Sequence, residues 1–135
     1  MTNKPMPEPT PVSAPFWHSL REHRIRIQYS PSAEQYVFYP RILAPRTLVD
    51  DLEWREISGH GTLYTFTVGD RPTAPPWSDS LPQLLAVVEW DAGPRVSTEI
   101  VNAQPGELKV GMRVQPVFCD YPDDGITLLR YELEN

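Results

Sequence analysis

The sequence predicts a mainly β fold: a short helix and a hairpin, followed by a small, highly curved antiparallel barrel. Three observations predict it. There are 16 prolines in 135 residues, about twice the usual ~5%, which leaves little room for long helices. From Trp54 onward the apolar residues alternate with period two rather than 3.6. Two turn signatures, Asp91-Ala92-Gly93-Pro94 and Asp123-Asp124-Gly125, fold the alternating runs into hairpins.

The length suits one cooperative core, and 40% hydrophobic with 22% charged residues is ordinary for a globular protein. A net charge of −6 provides no general attraction to a phosphate backbone, so nucleic acid is not an expected partner. The single cysteine, Cys119, cannot form an internal disulfide, which suits a reducing compartment. No apolar run approaches the ~18 residues of a membrane span, and MTNKPMPEPTPVSAP has no apolar signal core. The expectation is a cytoplasmic protein with no membrane partner.

Along the chain, prolines at 5, 7, 9, 11 and 15 exclude helix and favour an extended solvated tail or a strap that docks on a partner. Pro15 then suits the first turn of a helix of about two turns. Phe16, Trp17, Leu20 and His23 fall within one arc, with Arg21, Glu22 and Arg24 turned outward. Two aromatics are too much apolar surface to leave in water, so they pack on the domain's own body or on a second subunit.

Trp54 to Ile57 lead into Ser58-Gly59-His60-Gly61, whose glycines permit a bulge or bend inside one long strand. The strand resumes with Thr62, Tyr64, Phe66 and Val68 on one face and Leu63, Thr65 and Thr67 on the other. Gly69 to Gln83 is a proline-laden loop, long enough to imply binding or mobility. Leu84 to Trp90 reads as a buried-type strand that turns back onto RVSTEIV. A connector follows, with Leu108 and Val110 as its apolar anchors. Met112, Val114, Pro116 and Phe118 then align in one strand, and Leu129, Tyr131 and Leu133 in the last. Five strands with a long connector between the third and fourth match an OB-type barrel, with an SH3-like barrel or a short sandwich as the alternative.

From Pro15 to Glu132 the chain resembles the OB-fold, acyl-CoA-associated protein family (domain of unknown function 35), in which a helix and a rubredoxin-like zinc ribbon precede an OB domain. The resemblance is carried by PFWHSLREHRIRIQ, YVFYPR, LEW at 52–54, SGHGTLYTFTV, Arg71-Pro72, VVEWDAGPRV, VGMRVQPVF and DDGITLLRY, in order and at near-constant distances. It implies a Pro-rich tail over 1–14, a helix and ribbon-like hairpin over 15–51, and an OB domain over 52–135. It also implies four ribbon cysteines, and here the sequence departs from the family: those positions are Ser30, Ala33, Ala44 and Thr47. None of the four ligates zinc, so a zinc-less ribbon is expected, with no cofactor bound by the chain alone. Loss of the ion removes on the order of 10 kcal/mol of folding energy. Tyr29, Tyr36, Phe38, Tyr39, Ile42 and Leu43 are the expected replacement, as an apolar mini-core; a loose loop is the alternative.

Catalytic signatures are scarce. His18, His23 and His60 show no metal spacing, and no GxSxG, HExxH or phosphate-cradling loop is present. Cys119 in an alternating strand reads as a structural thiol rather than a nucleophile. Asp120, Asp123 and Asp124 lack the calcium-loop pattern and read as a solvated acidic hairpin. On the concave face of an OB barrel, Tyr64 and Phe66 could stack on a ring and Arg71 pair with a phosphate, as coenzyme A would require. Barrel core for the aromatics and a solvated charge for Arg71 are the alternatives. The resemblance further implies a thiolase-like enzyme subunit as partner in a hetero-oligomer, with a CoA thioester as shared substrate. Phe16, Trp17, Tyr36, Phe38, Tyr39 and Trp77 are the expected docking residues. A single-stranded nucleic-acid binder and a stand-alone acyl-CoA binder are the rival functions.

Overall fold

The computed structural model describes residues 5–70 and 82–134. Helix α1 (Ala14–Arg21) buries Phe16, Ser19 and Leu20. The Ser19 hydroxyl donates to the Phe16 carbonyl at 2.7 Å and accepts the Arg26 amide at 3.2 Å, so the polar residue on the buried face is satisfied while tying helix to sheet. His23 does not continue the apolar arc. It adopts a left-handed backbone (φ 59°) just past the helix, and its ring stacks on Phe118 at 5.0 Å.

Strands β1 (Ile25–Ser30), β2 (Gln35–Val37) and β3 (Glu53–Ile57) form an antiparallel sheet in the order β2-β1-β3. The expected long bent strand is therefore two strands in two sheets. Its first half pairs with β1, and the corner at Ser58–His60 carries the chain into the barrel. Gly59 is required there: its φ is +78°, and a Cβ would run into the Ile25 side chain.

The barrel comprises β4 (Gly61–Gly69), β5 (Gln83–Trp90), β6 (Arg95–Glu99), β7 (Arg113–Tyr121) and β8 (Ile126–Leu133), in the order β6-β5-β4-β7-β8. The sheet curls until its edges meet. A parallel bridge joins Ile100 to Tyr131, the Val101 amide donates to the Tyr131 carbonyl at 2.8 Å, and the Thr98 hydroxyl donates to the Leu129 carbonyl at 3.0 Å. This is the five-stranded antiparallel OB-type barrel that the alternation predicts.

A bulge changes the inward pattern of β4. Leu63 faces Val88 and Thr65 faces Val87, so Tyr64 is the extra residue and parity reverses beyond it. Leu63 is fully buried before the bulge, and Phe66 and Val68 pack on the core after it. Strand β5 proves half-buried rather than buried on both faces. Leu84, Ala86, Val88 and Trp90 point inward, and Leu85 lies in the open. Of the two connector anchors, Leu108 is buried and Val110 exposed.

One hydrogen-bonded chain locks the centre. Tyr131 accepts the Trp90 indole N–H at 2.5 Å and donates to the Gly59 carbonyl at 2.6 Å, with both rings fully enclosed. Burial pushes the Tyr131 hydroxyl well above its ordinary pKa despite the Trp90 donor, so it stays a neutral two-way link. Helix α1 and β2 lean on the same core through Phe16, Phe38 and Trp90, whose rings meet at 5.2 and 5.0 Å.

Candidate functional site

The ribbon-like segment between β1 and β3, here called the clip, keeps the outline of two metal knuckles with other contacts at their centres. In the first, the buried Ser30 hydroxyl donates to Asp51 Oδ1 at 2.8 Å and accepts the Ala33 amide at 3.3 Å. The Ser32 amide donates to Asp51 Oδ2 at 2.8 Å. Hydrogen bonds from Ser32, and then from Ser30, hold the Asp51 carboxyl below its ordinary 3.8 despite a desolvation penalty. In the second, the Ala44 amide donates to the Val49 carbonyl and the Leu48 amide to the Ala44 carbonyl, at 3.0 and 2.9 Å. Ala44 is buried and Thr47 exposed. Between the knuckles, Gln28 uses both ends of its amide, donating to the Arg41 carbonyl and accepting the Arg41 amide, each at 2.7 Å.

This donor set does not fit zinc. It offers no thiolate or imidazole, and its one buried hydroxyl is engaged by a carboxylate. Among the described residues no group of three His, Cys, Asp or Glu is placed to hold a metal ion.

The apolar mini-core expected to replace the ion is only partly formed. Tyr29 and Tyr36 meet edge-on at 4.8 Å, and Phe38 packs inward. Tyr39, Ile42 and Leu43 turn outward, joined by Leu48 and Val49, with Ile42 at 73% and Leu48 at 69% exposure. Five large apolar side chains within eleven residues are thus exposed. Polar contacts therefore supplement the small apolar set of Phe38, Tyr29 and Tyr36 in holding the clip.

Beside the clip, the seam where β6 and β8 meet opens into a groove of about 730 Å³. Trp17, Leu20, Tyr39, Leu85, Val96 and Leu128 supply much of its wall, and Pro5 and Met6 lie along it. Its only charged lining residues among those described are Glu99 and Arg130. They pair at 3.1 Å with 17% and 25% side-chain exposure, Arg130 being the less exposed, and Arg130 Nη1 donates to the Tyr121 hydroxyl at 2.8 Å. Burial opposes the Arg130 charge, but contacts with Cys119 and Tyr121 outweigh it and raise the guanidinium pKa.

The residues expected to act together are distributed as follows. Tyr64 and Phe66 do not share a stacking face: the bulge leaves Tyr64 outside beneath the Arg95 guanidinium, 3.8 Å from the ring centroid, and sends Phe66 to the core. Of the expected docking residues, Phe16 is buried, Tyr36 and Phe38 are half-buried against the core, and Trp17 and Tyr39 border the groove. Arg71 and Trp77 lie outside the described residues. Sequence reasoning missed Asp51, Gln28 and the Glu99–Arg130 pair. For Asp51 the available signal was a carboxylate ending the clip, opposite a buried-strand serine.

A sequence model described as "ChsH2, C-terminal OB-fold domain" matches residues 54–119. A DUF35 domain-containing scaffold protein of Methanothermobacter thermautotrophicus is 33% identical over 91 residues, spanning 66% of this chain and 68% of the relative. The 3-oxo-4,17-pregnadiene-20-carboxyl-CoA hydratase alpha subunit of Mycobacterium tuberculosis is 28% identical over 109 residues; they cover 80% of this chain but only 34% of that subunit. In three dimensions the chain is similar to a chain of the solved Ltp2-ChsH2(DUF35) aldolase, with a TM-score of 0.82 at 23% identity, over 95% of this chain and 98% of that one.

Proposed function

The chain belongs to the DUF35 family, and from that premise we propose that it is an accessory subunit of a CoA-dependent enzyme, one that grips its partner and performs no chemistry alone. The observation that carries this reading is the outward apolar row Tyr39, Ile42, Leu43, Leu48 and Val49. A stable monomer rarely spends so much apolar surface on one short loop, and the Gln28–Arg41 and Ser30–Asp51 hydrogen bonds tie that loop to β1. The names of relatives support the same reading, since they include scaffold proteins and a hydratase alpha subunit.

In finer terms, the partner is a thiolase-like subunit and the shared substrate is a CoA thioester undergoing carbon–carbon bond formation or cleavage, in the cytoplasm. The clip supplies docking, and the barrel wall beside it helps enclose the thioester. The zinc positions serve shape, with Asp51 in the ion's place.

Co-expression with a thiolase-like protein tests this directly. The two chains are expected to elute together in gel filtration, and turnover of an acyl-CoA is expected from the complex but not from this chain alone. A chain that stays monomeric beside such a partner, or that turns over an acyl-CoA unaided, contradicts the proposal. The groove favours a second reading, a stand-alone acyl-CoA binder, which calorimetry on the isolated chain would reveal as tight partner-independent affinity.

A further inference from the structure

We propose that the β6–β8 groove is a binding site for a neutral, oxygen-bearing acyl chain, with Arg130 as the residue that recognises its carbonyl. The choice of ligand class rests on the reading of this chain as a handler of thioesters. The site itself rests on geometry.

A volume of about 730 Å³ falls within the roughly 300–1,000 Å³ typical of small-molecule sites. The walls come from separate elements: Trp17 from α1, Leu85 from β5, Val96 from β6 and Leu128 from β8. Leu85 is 46% exposed on a strand whose other face already serves the core, so its apolar side chain contributes little to the fold and much to the groove. The barrel leaves this space because β6 and β8 share no backbone ladder: the seam closes at Ile100 and Tyr131, and elsewhere only side chains link the two strands, Thr98 to the Leu129 carbonyl and Glu99 to Arg130.

The polar floor selects the ligand. A part-buried ion pair gives up hydration that its own attraction only partly repays, and an apolar seam would have sealed the barrel as well. Arg130 has five N–H donors, of which one goes to Glu99, one to the Tyr121 hydroxyl and another is engaged by Cys119, so donors remain. A ligand oxygen can therefore be received there. Glu99 cancels the arginine charge, so the site is close to neutral as a whole. A free carboxylate would lose its hydration without a net positive field to compensate it, whereas a thioester or amide carbonyl loses much less. The groove thus suits an acyl group that is still esterified and discriminates against the hydrolysed acid.

The test uses the full chain, labelled with ¹⁵N, titrated with S-decanoyl-N-acetylcysteamine, a thioester that lacks the coenzyme A nucleotide. Amide shifts are expected over 96–99 and 128–130. Arg130→Met and Leu85→Arg should each weaken binding about tenfold, and decanoate should bind at least about tenfold more weakly than the thioester. Shifts that avoid both strands, wild-type affinity in Arg130→Met, or equal affinity for decanoate would overturn the assignment. Leu85 lies on the surface, so its substitution leaves the fold intact and remains informative if Arg130→Met does not fold. A chain that binds this thioester but never joins an enzyme would refute the accessory role and leave the groove standing; the opposite pattern would do the reverse.

Discussion

The barrel and the clip solve the same problem in opposite ways. The barrel turns its large apolar residues inward and threads one hydrogen-bonded link, Trp90–Tyr131–Gly59, through them. The clip sends Phe38 inward but turns Tyr39, Ile42, Leu43, Leu48 and Val49 outward, and pins its inside with Asp51, Ser30 and Gln28. A region that leaves five large apolar side chains exposed while polar pins hold its inside is partly inverted relative to a domain that folds for itself. Such an inversion makes sense when the exterior is covered by another polypeptide, so the contrast between the two regions separates what stabilises this chain from what connects it.

Substitutions sharpen that contrast, beginning with the largest expected effect. Leu63→Ala removes a fully buried side chain from the barrel and should cost about 2–5 kcal/mol in urea denaturation. A loss under ~1 kcal/mol would mean that the core does not sit where the packing places it. Tyr131→Phe strips the acceptor from Trp90 and the donor from Gly59 at once, leaving two buried groups unsatisfied. About 2 kcal/mol of destabilisation is expected, with the clip amides unchanged in an NMR spectrum.

Asp51 probes the clip by acid titration. Its carboxyl is held below 3.8 in the folded chain, so its contribution is fully present above that ordinary value and fades as pH falls through the lower folded one. The Ser32 amide resonance should therefore titrate with a midpoint below 3.8. A midpoint at or above 3.8 would show that the knuckle is not organised by this carboxylate. The smallest effect on the chain itself is expected from Ile42→Ser with Leu48→Ser. Both side chains are largely in water, so stability should change by less than ~0.5 kcal/mol each while partner capture is lost. A large drop in melting temperature would return these residues to the chain's own core.

How much of this was legible beforehand follows the same division. The barrel could be read because alternation and the two hairpin turns are local signals, and Val114, Phe118, Leu129 and Tyr131 pack as their spacing predicts. The bulge at Tyr64 was not legible, since no glycine marks it and the register depends on β5. The clip was misjudged for a similar reason. Whether Ile42 faces in or out is decided by contacts such as Gln28 with Arg41 and Ser30 with Asp51, which join residues far apart in sequence and leave no periodic trace. The groove depends on where a curled sheet fails to close, a property of all five strands together.

Hydrogen–deuterium exchange on the chain, free and bound to a thiolase-like subunit, tests the central claim most directly. Strong protection on binding is predicted for 39–49, with the amides of the barrel core unchanged. Protection confined to other segments, with 39–49 exchanging as fast in the complex as in the free chain, would contradict it.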